Sequence, residues 1–431
     1  MVSINMKPQA YLTRNNNGYQ LLQSALQAQG WNLQNIEEDK LVFVRKDEEI
    51  TAVGHSFRGN NILITLHLKH KALPPPETIT LTAAGDILMH NTQISSGLQP
   101  DGSYSFDSFF APVKDLLEEG DYCSTNFEAA LAGEAAGYSG YPLFNSPDAI
   151  ADTFKDAGFD LVVTANNHCL DRGYAGALRT IKVLREAGLD TTGTYLTPEE
   201  HNNFLVKDIR GVKVGYLAYT YGTNGIPIPE QCPHFVRLLD QRQVMQDIER
   251  LRPAVDVLIL ILHWGTEYSP EATEEQKRLA RTFLTAGADV ILGSHPHVIE
   301  PMEILKIGGK DKFVIYSMGN FIGHQRGWER NSGLILKLKF TKDFRQGETY
   351  LQEVSYVPTF SHPFIKNGRQ QFRVVPVEKA IDNIEKGQEP YLTASDLPVL
   401  KKVLDHTHKQ LGEPFFKTAP ESNHALNSTQ I

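Results

Sequence analysis

Short, nearly continuous apolar runs alternate with longer amphipathic stretches through the middle of the chain. The apolar runs lie at residues 78–84, 122–125, 161–164, 255–262 and 290–292. Such runs are typical of strands buried on both faces of a parallel sheet, and the stretches between them are long enough for helices. The pattern therefore predicts βαβ units and a largely parallel α/β core.

One local pattern marks where three of the predicted helices end. Ala-Gly, one further residue and Asp occur at 157–160, 187–190 and 286–289, each time before a β-rich run. Glycine just past a helix adopts the left-handed conformation that terminates it. Pro147 and Pro270 are predicted to lie in the first turn of two of these helices, where a missing N–H group costs nothing.

Residues 1–72 have a different pattern and form a predicted small α+β module whose role the sequence does not identify. One helix and three strands are expected in it, at 18–29, 40–45, 50–53 and 62–68. Consecutive prolines favour the extended polyproline II conformation, so we expect a stiff spacer at 73–77. We place a domain boundary at this spacer.

The main domain is predicted to span residues 78–380. It ends with β-like runs typical of antiparallel strands that flank the core sheet, at 334–340, 354–360 and 372–377. A helical segment is expected at 381–417. The polar end of the chain, residues 418–431, is expected to be disordered.

Composition narrows the class of protein. The 431 residues include 42 Lys and Arg against 51 Asp and Glu, and a net charge of −9 argues against a nucleic-acid binder with a basic face. The longest purely apolar run, at 257–262, is too short to span a bilayer, and residues 1–17 contain no apolar signal core. Three cysteines cannot form a disulfide framework. We therefore expect a cytoplasmic protein without a membrane span.

Polar side chains that could hold a metal follow five of the predicted strands. They are Asp86, with His90 four positions on, then Glu128, Asn167 and His168, His263, and His295 with His297. Ligand sites in open α/β sheets lie beyond the carboxyl ends of the strands, so we expect these side chains to converge. Imidazole, carboxylate and amide ligands without thiolate suit a pair of divalent ions such as Mn, Fe, Zn or Co. Gly85 and Gly293 would let the backbone approach these ions closely.

The same residues carry a family resemblance. The segments GDILMH, NFEAAL, ANNHCLDRG, HWGTEY, GSHPHVIEP and SMGNF lie in order between residues 78 and 325. They resemble the sequence blocks of the calcineurin-like metallophosphoesterase superfamily, and within it those of the CapA branch, the capsule and poly-γ-glutamate synthesis proteins. The resemblance implies a metallophosphatase-like layered α/β fold with a site for two divalent metal ions.

The resemblance also implies a role for each block. The metal ligands would be Asp86 and His297 at a first ion, Asn167, His263 and His295 at a second, and Glu128 between them. His168 would donate a proton to the leaving group or hold that group in place. Asp171 either orients His168 or caps the helix that begins near Gly173.

Two positions depart from the superfamily pattern. Leu88 stands where the superfamily has a histidine, so either His90 replaces that imidazole or the ligand is absent. Glu128 stands where the superfamily usually has aspartate, and its longer side chain would shift the bridging oxygen. Metal spacing and substrate are therefore expected to differ from those of the superfamily's phosphatases.

Candidate substrate contacts lie in two loops. Tyr221 and Asn224 belong to a polar, aromatic segment that either recognises substrate or is a surface turn. Arg326, with His324 and Arg330 nearby, either holds a substrate carboxylate or belongs to a solvated charged loop.

The resulting hypothesis is a metal-dependent hydrolase of the CapA type, in which two divalent ions activate water. Its substrate would be a phosphoester or a γ-glutamyl compound, presented as a small molecule or as an anionic polymer such as poly-γ-glutamate. The alternative is a non-catalytic accessory protein that binds metal or polymer while a separate synthase does the chemistry. A nuclease-like phosphodiesterase is disfavoured by the acidic charge, and no nucleic-acid partner is expected. The sequence predicts no oligomeric state.

Overall fold

The chain divides into two compact units, residues 1–76 with 344–346 and residues 77–343 with 347–431. A computed structural model describes residues 10–14, 18–37, 40–45, 48–57, 61–70, 73–412 and 415–417. The tail expected at 418–431 lies outside the described residues. Within the described residues, no helix is both long enough and apolar enough to cross a membrane.

The smaller unit is one antiparallel sheet with one helix. Its elements are β1 (Ala10–Arg14), α1 (Gly18–Ala28), β2 (Asn32–Glu37), β3 (Lys40–Arg45), β4 (Glu48–Phe57) and β5 (Asn61–His70), and the strand order is β1-β5-β4-β3-β2. Leu22 and Leu26 are four residues apart on one face of α1, and they pack with Trp31 and Phe43 in a small core. The expected helix and strands are present, with β1 and β2 in addition.

The larger unit contains the remaining elements. Its strands are β6 (Glu77–Ile87), β7 (Tyr122–Phe127), β8 (Leu161–Val163), β9 (Asp190–Thr192), β10 (Leu205–Ile209), β11 (Val212–Thr220), β12 (Val257–His263), β13 (Val290–Ser294), β14 (Met302–Ile307), β15 (Lys310–Ile315), β16 (Asn320–Ile322), β17 (Ser332–Asp343), β18 (Glu348–Lys366), β19 (Arg369–Pro376) and β20 (Phe415–Lys417). Its α-helices are α2 (Asn91–Gly97), α3 (Lys114–Leu117), α4 (Ala149–Asp156), α5 (Gly173–Glu186), α6 (Pro198–Asn202), α7 (Gln241–Leu251), α8 (Glu274–Ala286), α9 (Val377–Glu385) and α10 (Leu397–Leu411).

The strands of the larger unit form two sheets. One has the order β19-β18-β17-β6-β7-β8-β9, with β16 beside β6 and β20 beside β18, and the other has the order β10-β11-β12-β13-β15-β14. Strands β6 to β9 are parallel, as are β11, β12, β13 and β15, while the other strands on these paths pair antiparallel. The predicted parallel core with antiparallel flanks is confirmed, but it is split between two sheets.

The two sheets share one hydrophobic core. Leu81 and Val163 from the first sheet are buried in one cluster with Ile259 and Leu292 from the second. The other face of the first sheet packs with α3 and α4, and that of the second with α7 and α8. The result is the layered α/β arrangement expected from the sequence, in which both faces of each sheet are covered.

Three predicted helix ends are confirmed. Gly158, Gly188 and Gly287 have φ values of +98°, +82° and +133°, as expected for glycine just past a helix. The aspartates that follow bind neighbouring strands, since Asp160 accepts a hydrogen bond from the Cys123 N–H group at 3.0 Å. Asp289 similarly accepts one from Leu258 at 2.8 Å.

The predicted helix starts at the two prolines are wrong. Helix α4 begins two residues after Pro147, and α8 begins four residues after Pro270. For α8 the start is set by a capping box: the Thr273 side chain accepts from the Gln276 N–H group, and the Gln276 side chain accepts from the Thr273 N–H group.

Two glycines allow close approach between backbone segments, and their expected approach to bound ions stays a prediction. A Cβ atom on Gly293 would lie 1.7 Å from the carbonyl oxygen of Tyr316, just after β15. A Cβ atom on Gly85 would lie 2.2 Å from the carbonyl oxygen of Gly319, just before β16. Both glycines are therefore required for strand packing at the edge where the polar residues collect.

Gly293→Ala should lower the free energy of unfolding by about 1–3 kcal/mol or more, because the added methyl group meets rigid backbone. Urea unfolding of the two proteins measures the difference. Gly222→Ala is the matched control, since a Cβ atom there meets nothing within 4 Å. Equal stability of the two variants would contradict this account.

A buried carboxyl group lies behind the capping box of α8. Glu300 is fully buried, and its Oε2 accepts a hydrogen bond from Gln276 Nε2 at 2.8 Å. Among the described residues its Oε1 has no hydrogen-bond partner. Burial raises the pKa of Glu300 to about 7.

Glu300→Gln should make stability less dependent on pH. The pKa of about 7 in the folded chain lies above the ordinary 4.5, so the folded chain binds this proton more tightly than the unfolded chain does. The free energy of unfolding of the wild type therefore falls as pH rises through this interval and stays low above it. At alkaline pH the free energy of unfolding of the variant should exceed that of the wild type by roughly 2–3 kcal/mol, and in acid the two should differ little. Urea unfolding in both buffers measures this, and a loss of stability at alkaline pH would contradict it.

Candidate functional site

The polar residues that follow the parallel strands collect at one place. Asp86 lies in β6, Glu128 directly follows β7, Asn167 and His168 lie in the loop after β8, His263 ends β12, and His295 and His297 follow β13. All seven side chains are buried, with no more than 5% of any residue exposed. The two sheets contribute about equally, so the site forms where their carboxyl ends meet.

Glu128 lies at the centre of this set. Its Oε1 is 3.5 Å from His263 Nε2, 3.7 Å from His297 Nε2 and 4.0 Å from His168 Nε2. Both carboxylate oxygens are buried, and neither has a hydrogen-bond partner in the described part of the chain. A buried charge without hydrogen bonds is costly, and a cation bound beside this carboxylate would compensate it.

Two groups of side chains are close enough to hold a metal ion. One consists of Glu128, His295 and His297, and the other of Asp86, Glu128 and His263, with the candidate ligand atoms of each group within 4.8 Å of one another. Glu128 belongs to both groups, as a bridging residue would. The grouping differs from the one that the resemblance implies, because His295 lies with His297 and His263 with Asp86.

Asp86 is held by two donors. Asn126 Nδ2 donates to its Oδ1 at 2.8 Å, and the backbone N–H group of His295 donates to its Oδ2 at 3.0 Å. Burial and the neighbouring Glu128 carboxylate nevertheless raise the pKa of Asp86 well above its ordinary value. Two neighbouring ionised carboxylates repel each other, and positive charge between them would offset that repulsion.

His263 presents an unprotonated nitrogen to the site in one tautomer. Its Nδ1 lies 2.9 Å from Ser294 Oγ, and in the tautomer that donates this proton to Ser294 the Nε2 lone pair faces Asn167 Oδ1 at 2.8 Å. The Asn167 amide is fixed because its Nδ2 donates to Asn224 Oδ1 at 3.1 Å. Burial lowers the pKa of His263 well below its ordinary value, which keeps the ring neutral. Two acceptors that face each other in this way are typical of a metal site.

His297 is oriented by an asparagine. Its Nδ1 is 3.0 Å from Asn320 Oδ1, and Asn320 Nδ2 donates to the carbonyl of Arg330 at 2.7 Å. The amide therefore offers its oxygen to Nδ1, which leaves Nε2 directed at Glu128. Burial lowers the pKa of His297 to about 4 and that of His295 to about 3. The Nδ1 atom of His295 is buried and has no partner among the described residues.

The backbone is strained around these ligands. His295 and His297 have φ values of +97° and +58°, and Asn224 and Tyr268 have values of +49° and +66°. Residues other than glycine rarely adopt this left-handed region, and they do so mostly where function requires it. Four of the six such residues in the described chain lie at this site.

His168 forms a pair with Asp171. The two side chains are joined by a 2.7 Å contact between Nδ1 and Oδ2, and the same carboxylate oxygen accepts from the N–H group of Phe144 at 2.7 Å. Burial acts to lower the pKa of His168, but the Asp171 hydrogen bond and the negative Glu128 outweigh it and raise the pKa. Of the two interpretations of Asp171, these contacts support the one in which it orients His168.

The structure places His90 beside the site and not in either group of candidate ligands. Its Nδ1 is 3.2 Å from Gln93 Oε1 and 3.3 Å from the backbone nitrogen of His324. Leu88, at the position where the superfamily has histidine, is buried in the hydrophobic core. Whether His90 is a ligand therefore stays a prediction.

The candidate substrate contacts have different surroundings. Tyr221 is 48% exposed, and its ring centroid is 4.6 Å from that of His295. Asn224 contacts both Asn167 and His168. Arg326 is exposed in the loop after β16. Tyr221 and Asn224 therefore border the site, whereas no described contact links Arg326 to it.

Sequence reasoning missed the asparagines that support the ligands. Asn126 binds Asp86, and Asn166 Nδ2 donates to Asn126 Oδ1 at 3.2 Å while its own Oδ1 accepts from the His168 N–H group at 3.1 Å. Asn320 orients His297. These three asparagines lie in the segments NFEAAL, ANNHCLDRG and SMGNF, so their position in the same segments as the candidate ligands, near strand ends, is the signal that the sequence offers.

Comparison with known proteins shows which protein family this chain matches. The bacterial capsule synthesis protein family PGA_cap matches residues 80–325. The capsule biosynthesis protein CapA of Bacillus anthracis is 31% identical over 270 residues, which are 60% of this chain and 63% of that protein. The PGA biosynthesis protein CapA of Bacillus subtilis is 26% identical over 307 residues, covering 70% of this chain and 72% of that protein.

The solved structures that this chain resembles have lower sequence identity to it than these two relatives. A 5'-nucleotidase precursor from Thermus thermophilus is 16% identical, with a TM-score of 0.41, and the match covers 77% of this chain and 59% of that one. The family match spans more than half of the chain and includes every candidate metal ligand. This chain belongs to the bacterial capsule synthesis protein PGA_cap family.

Proposed function

We propose that this chain is a metal-dependent hydrolase whose centre is built around Glu128. The observation that carries the proposal is the buried Glu128 carboxylate, which lacks hydrogen-bond donors and has imidazole nitrogens 3.5–4.0 Å from its Oε1. A structural role would leave the carboxylate hydrogen-bonded or replace it with an apolar residue.

Two divalent ions, Mn, Fe or Zn, suit this donor set. Asp86, Glu128 and His263 would hold one, and Glu128, His295 and His297 the other, with Asn167 Oδ1 available beside His263. When bound, such ions supply positive charge that polarises a substrate oxygen and acidifies water.

The protein's own residues would position a proton for the leaving group. Asp171 holds Nδ1 of His168, so the second nitrogen, Nε2, faces the centre 4.0 Å from Glu128 Oε1. The Phe144 ring packs edge-on against His168, with 4.7 Å between the ring centroids, and excludes water from that side. His168 would thus donate a proton to the departing oxygen or nitrogen.

The names of the relatives support a substrate class for the proposed reaction. Relatives are named for capsule and PGA biosynthesis, which supports a γ-glutamyl compound or poly-γ-glutamate, and a phosphoester is the other candidate. The half-exposed Tyr221 and the partly exposed Tyr268 border the site, so substrate would approach from the side of these two rings. Because the protein carries a net charge of −9, an acidic polymer would need the local positive charge of the bound ions.

A second candidate function is a non-catalytic accessory role in polymer synthesis. It is favoured by the GDILMH segment, in which Leu88 is buried in the core and His90 forms a hydrogen bond with Gln93. The number of bound ions distinguishes the two candidates. Two ions per chain in elemental analysis favour the hydrolase, and one or none favours the accessory role.

Glu128→Gln should abolish stabilisation by metal. We expect Mn²⁺ to raise the melting temperature of EDTA-treated wild type, because it binds only the folded chain. Without metal, the variant should be more stable than the wild type, since it lacks an uncompensated buried charge. Glu271→Gln, at an exposed carboxylate in the loop after β12, is the control and should behave as wild type. Thermal unfolding with and without Mn²⁺ measures both effects, and an unchanged response to metal in Glu128→Gln would contradict the site.

His168→Gln should lower kcat by about 10²–10⁴-fold while retaining metal. The Mn²⁺-loaded protein is assayed on p-nitrophenyl phosphate, phenyl phosphate, a phosphodiester and a γ-glutamyl anilide. If His168 donates the proton, the loss should be larger for phenyl phosphate than for p-nitrophenyl phosphate, whose leaving group needs less assistance. Asp86→Asn and His263→Ala should abolish activity, and Glu271→Gln again serves as control. Full activity in Asp86→Asn would refute the assigned centre.

A further inference from the structure

A partly buried guanidinium group is separated from the candidate ligand His297 by a single aromatic ring, that of Tyr268. Arg330 is half-buried in the turn before β17, and its guanidinium carbon is 3.6 Å from the centroid of the Tyr268 ring. Within the described chain, no carboxylate forms an ion pair with Arg330. The Tyr268 ring offers this cation a cation–π contact, and its charge remains available to an anion.

Two separate connections tie Arg330 to the candidate ligand His297. Through the main chain, the Arg330 carbonyl accepts from Asn320 Nδ2, and Asn320 Oδ1 contacts His297 Nδ1 at 3.0 Å. Through the side chain, Arg330 stacks on Tyr268, whose ring centroid is 6.0 Å from that of His297. The Tyr268 N–H group also donates to the Pro296 carbonyl at 2.8 Å. The position of this guanidinium is therefore coupled to the ligand loop.

Stacking leaves the hydrogen-bonding edges of Arg330 available. The guanidinium carbon of Arg330 lies over the Tyr268 ring at 3.6 Å. The N–H groups of a guanidinium lie in its plane, so a group stacked on a ring can still form two parallel hydrogen bonds with an oxyanion. Tyr268 has a left-handed backbone conformation, with a φ of +66°, and the hydrogen bond from its N–H group to Pro296 places its backbone beside the ligand loop. Arg326, four residues earlier, is exposed and has none of these described contacts.

We propose that Arg330, supported by Tyr268, binds an oxyanion of the substrate, a carboxylate or a phosphate, beside the bond that is cleaved. The proposal rests on the proposed function only in placing substrate at the centre. Arg330 would fix the register of the substrate and take no part in breaking the bond. It replaces Arg326 as the arginine that recognises substrate.

The test uses two probes that carry the two possible oxyanions. Fluorescein-labelled γ-linked pentaglutamate and labelled pentaphosphate are titrated with the full chain, both EDTA-treated and Mn²⁺-loaded, and binding is read by fluorescence anisotropy. Arg330→Gln should weaken binding of at least one probe about ten-fold or more, as expected for a charged hydrogen bond. Arg330→Lys should lose less affinity, because lysine keeps the positive charge but cannot form the two parallel hydrogen bonds of a guanidinium. Arg326→Gln, the matched control, should bind as the wild type does.

The outcomes separate this proposal from the proposed function. Loss with pentaglutamate alone identifies a carboxylate, and loss with pentaphosphate alone identifies a phosphate. An Arg330-dependent probe that no assay shows to be cleaved supports this proposal and counts against the hydrolase. Where a substrate is cleaved, Arg330→Gln should raise KM far more than it lowers kcat.

Three results would overturn the role of Arg330: unchanged binding in Arg330→Gln, an equal loss in Arg326→Gln, or no binding of either probe by the wild type. Thermal unfolding checks that the variants fold. If Arg330→Gln does not fold, Arg330→Lys decides the matter, since wild-type affinity in that variant would remove the need for a guanidinium.

Discussion

The burial of one carboxylate without hydrogen bonds is the constraint around which the larger unit is organised. Glu128 has imidazole nitrogens on several sides and no donor of its own among the described residues. Such an arrangement is costly for the folded chain alone. The surrounding fold imposes it, and under the proposed function a bound cation would supply the compensating interaction. The left-handed backbone conformations of His295 and His297 are also unfavourable by themselves, and both persist because the surrounding structure fixes them.

The split of the core into two sheets explains how such a site can be held. Asp86 and Glu128 come from one sheet, and His263 and His297 come from the other. The donor set therefore exists only when the sheets are packed together through their shared core. The close backbone approaches at Gly85 and Gly293 fix neighbouring segments within each sheet, β6 against β16 and β13 against the end of β15. Stability and site geometry are thus controlled by the same contacts.

Much of the site could be predicted from sequence because strand ends are visible in the hydrophobic pattern. A buried apolar run followed by Asp, Glu, Asn or His identifies both the strand and the candidate ligand, as at Val257–His263. The pattern does not say which strands share a sheet, and it does not give the direction of an amide such as that of Asn320. Arg326 and Arg330 are likewise indistinguishable by composition and spacing. What separates them is a tertiary contact with the Tyr268 ring, which comes from a loop distant in the chain.

The pocket contains two opposite electrostatic environments, and this contrast is the strongest internal argument for the division of roles. Burial lowers the pKa of His263, His295 and His297, so that their nitrogens are free to act as ligands. His168 experiences the same burial, yet its pKa is raised because Asp171 and Glu128 favour the charged ring. Groups whose environments move their pKa values apart are those that divide binding from proton transfer. A pocket that only bound a metal would need the histidines with lowered pKa values, and it would not need a histidine such as His168 with a raised pKa.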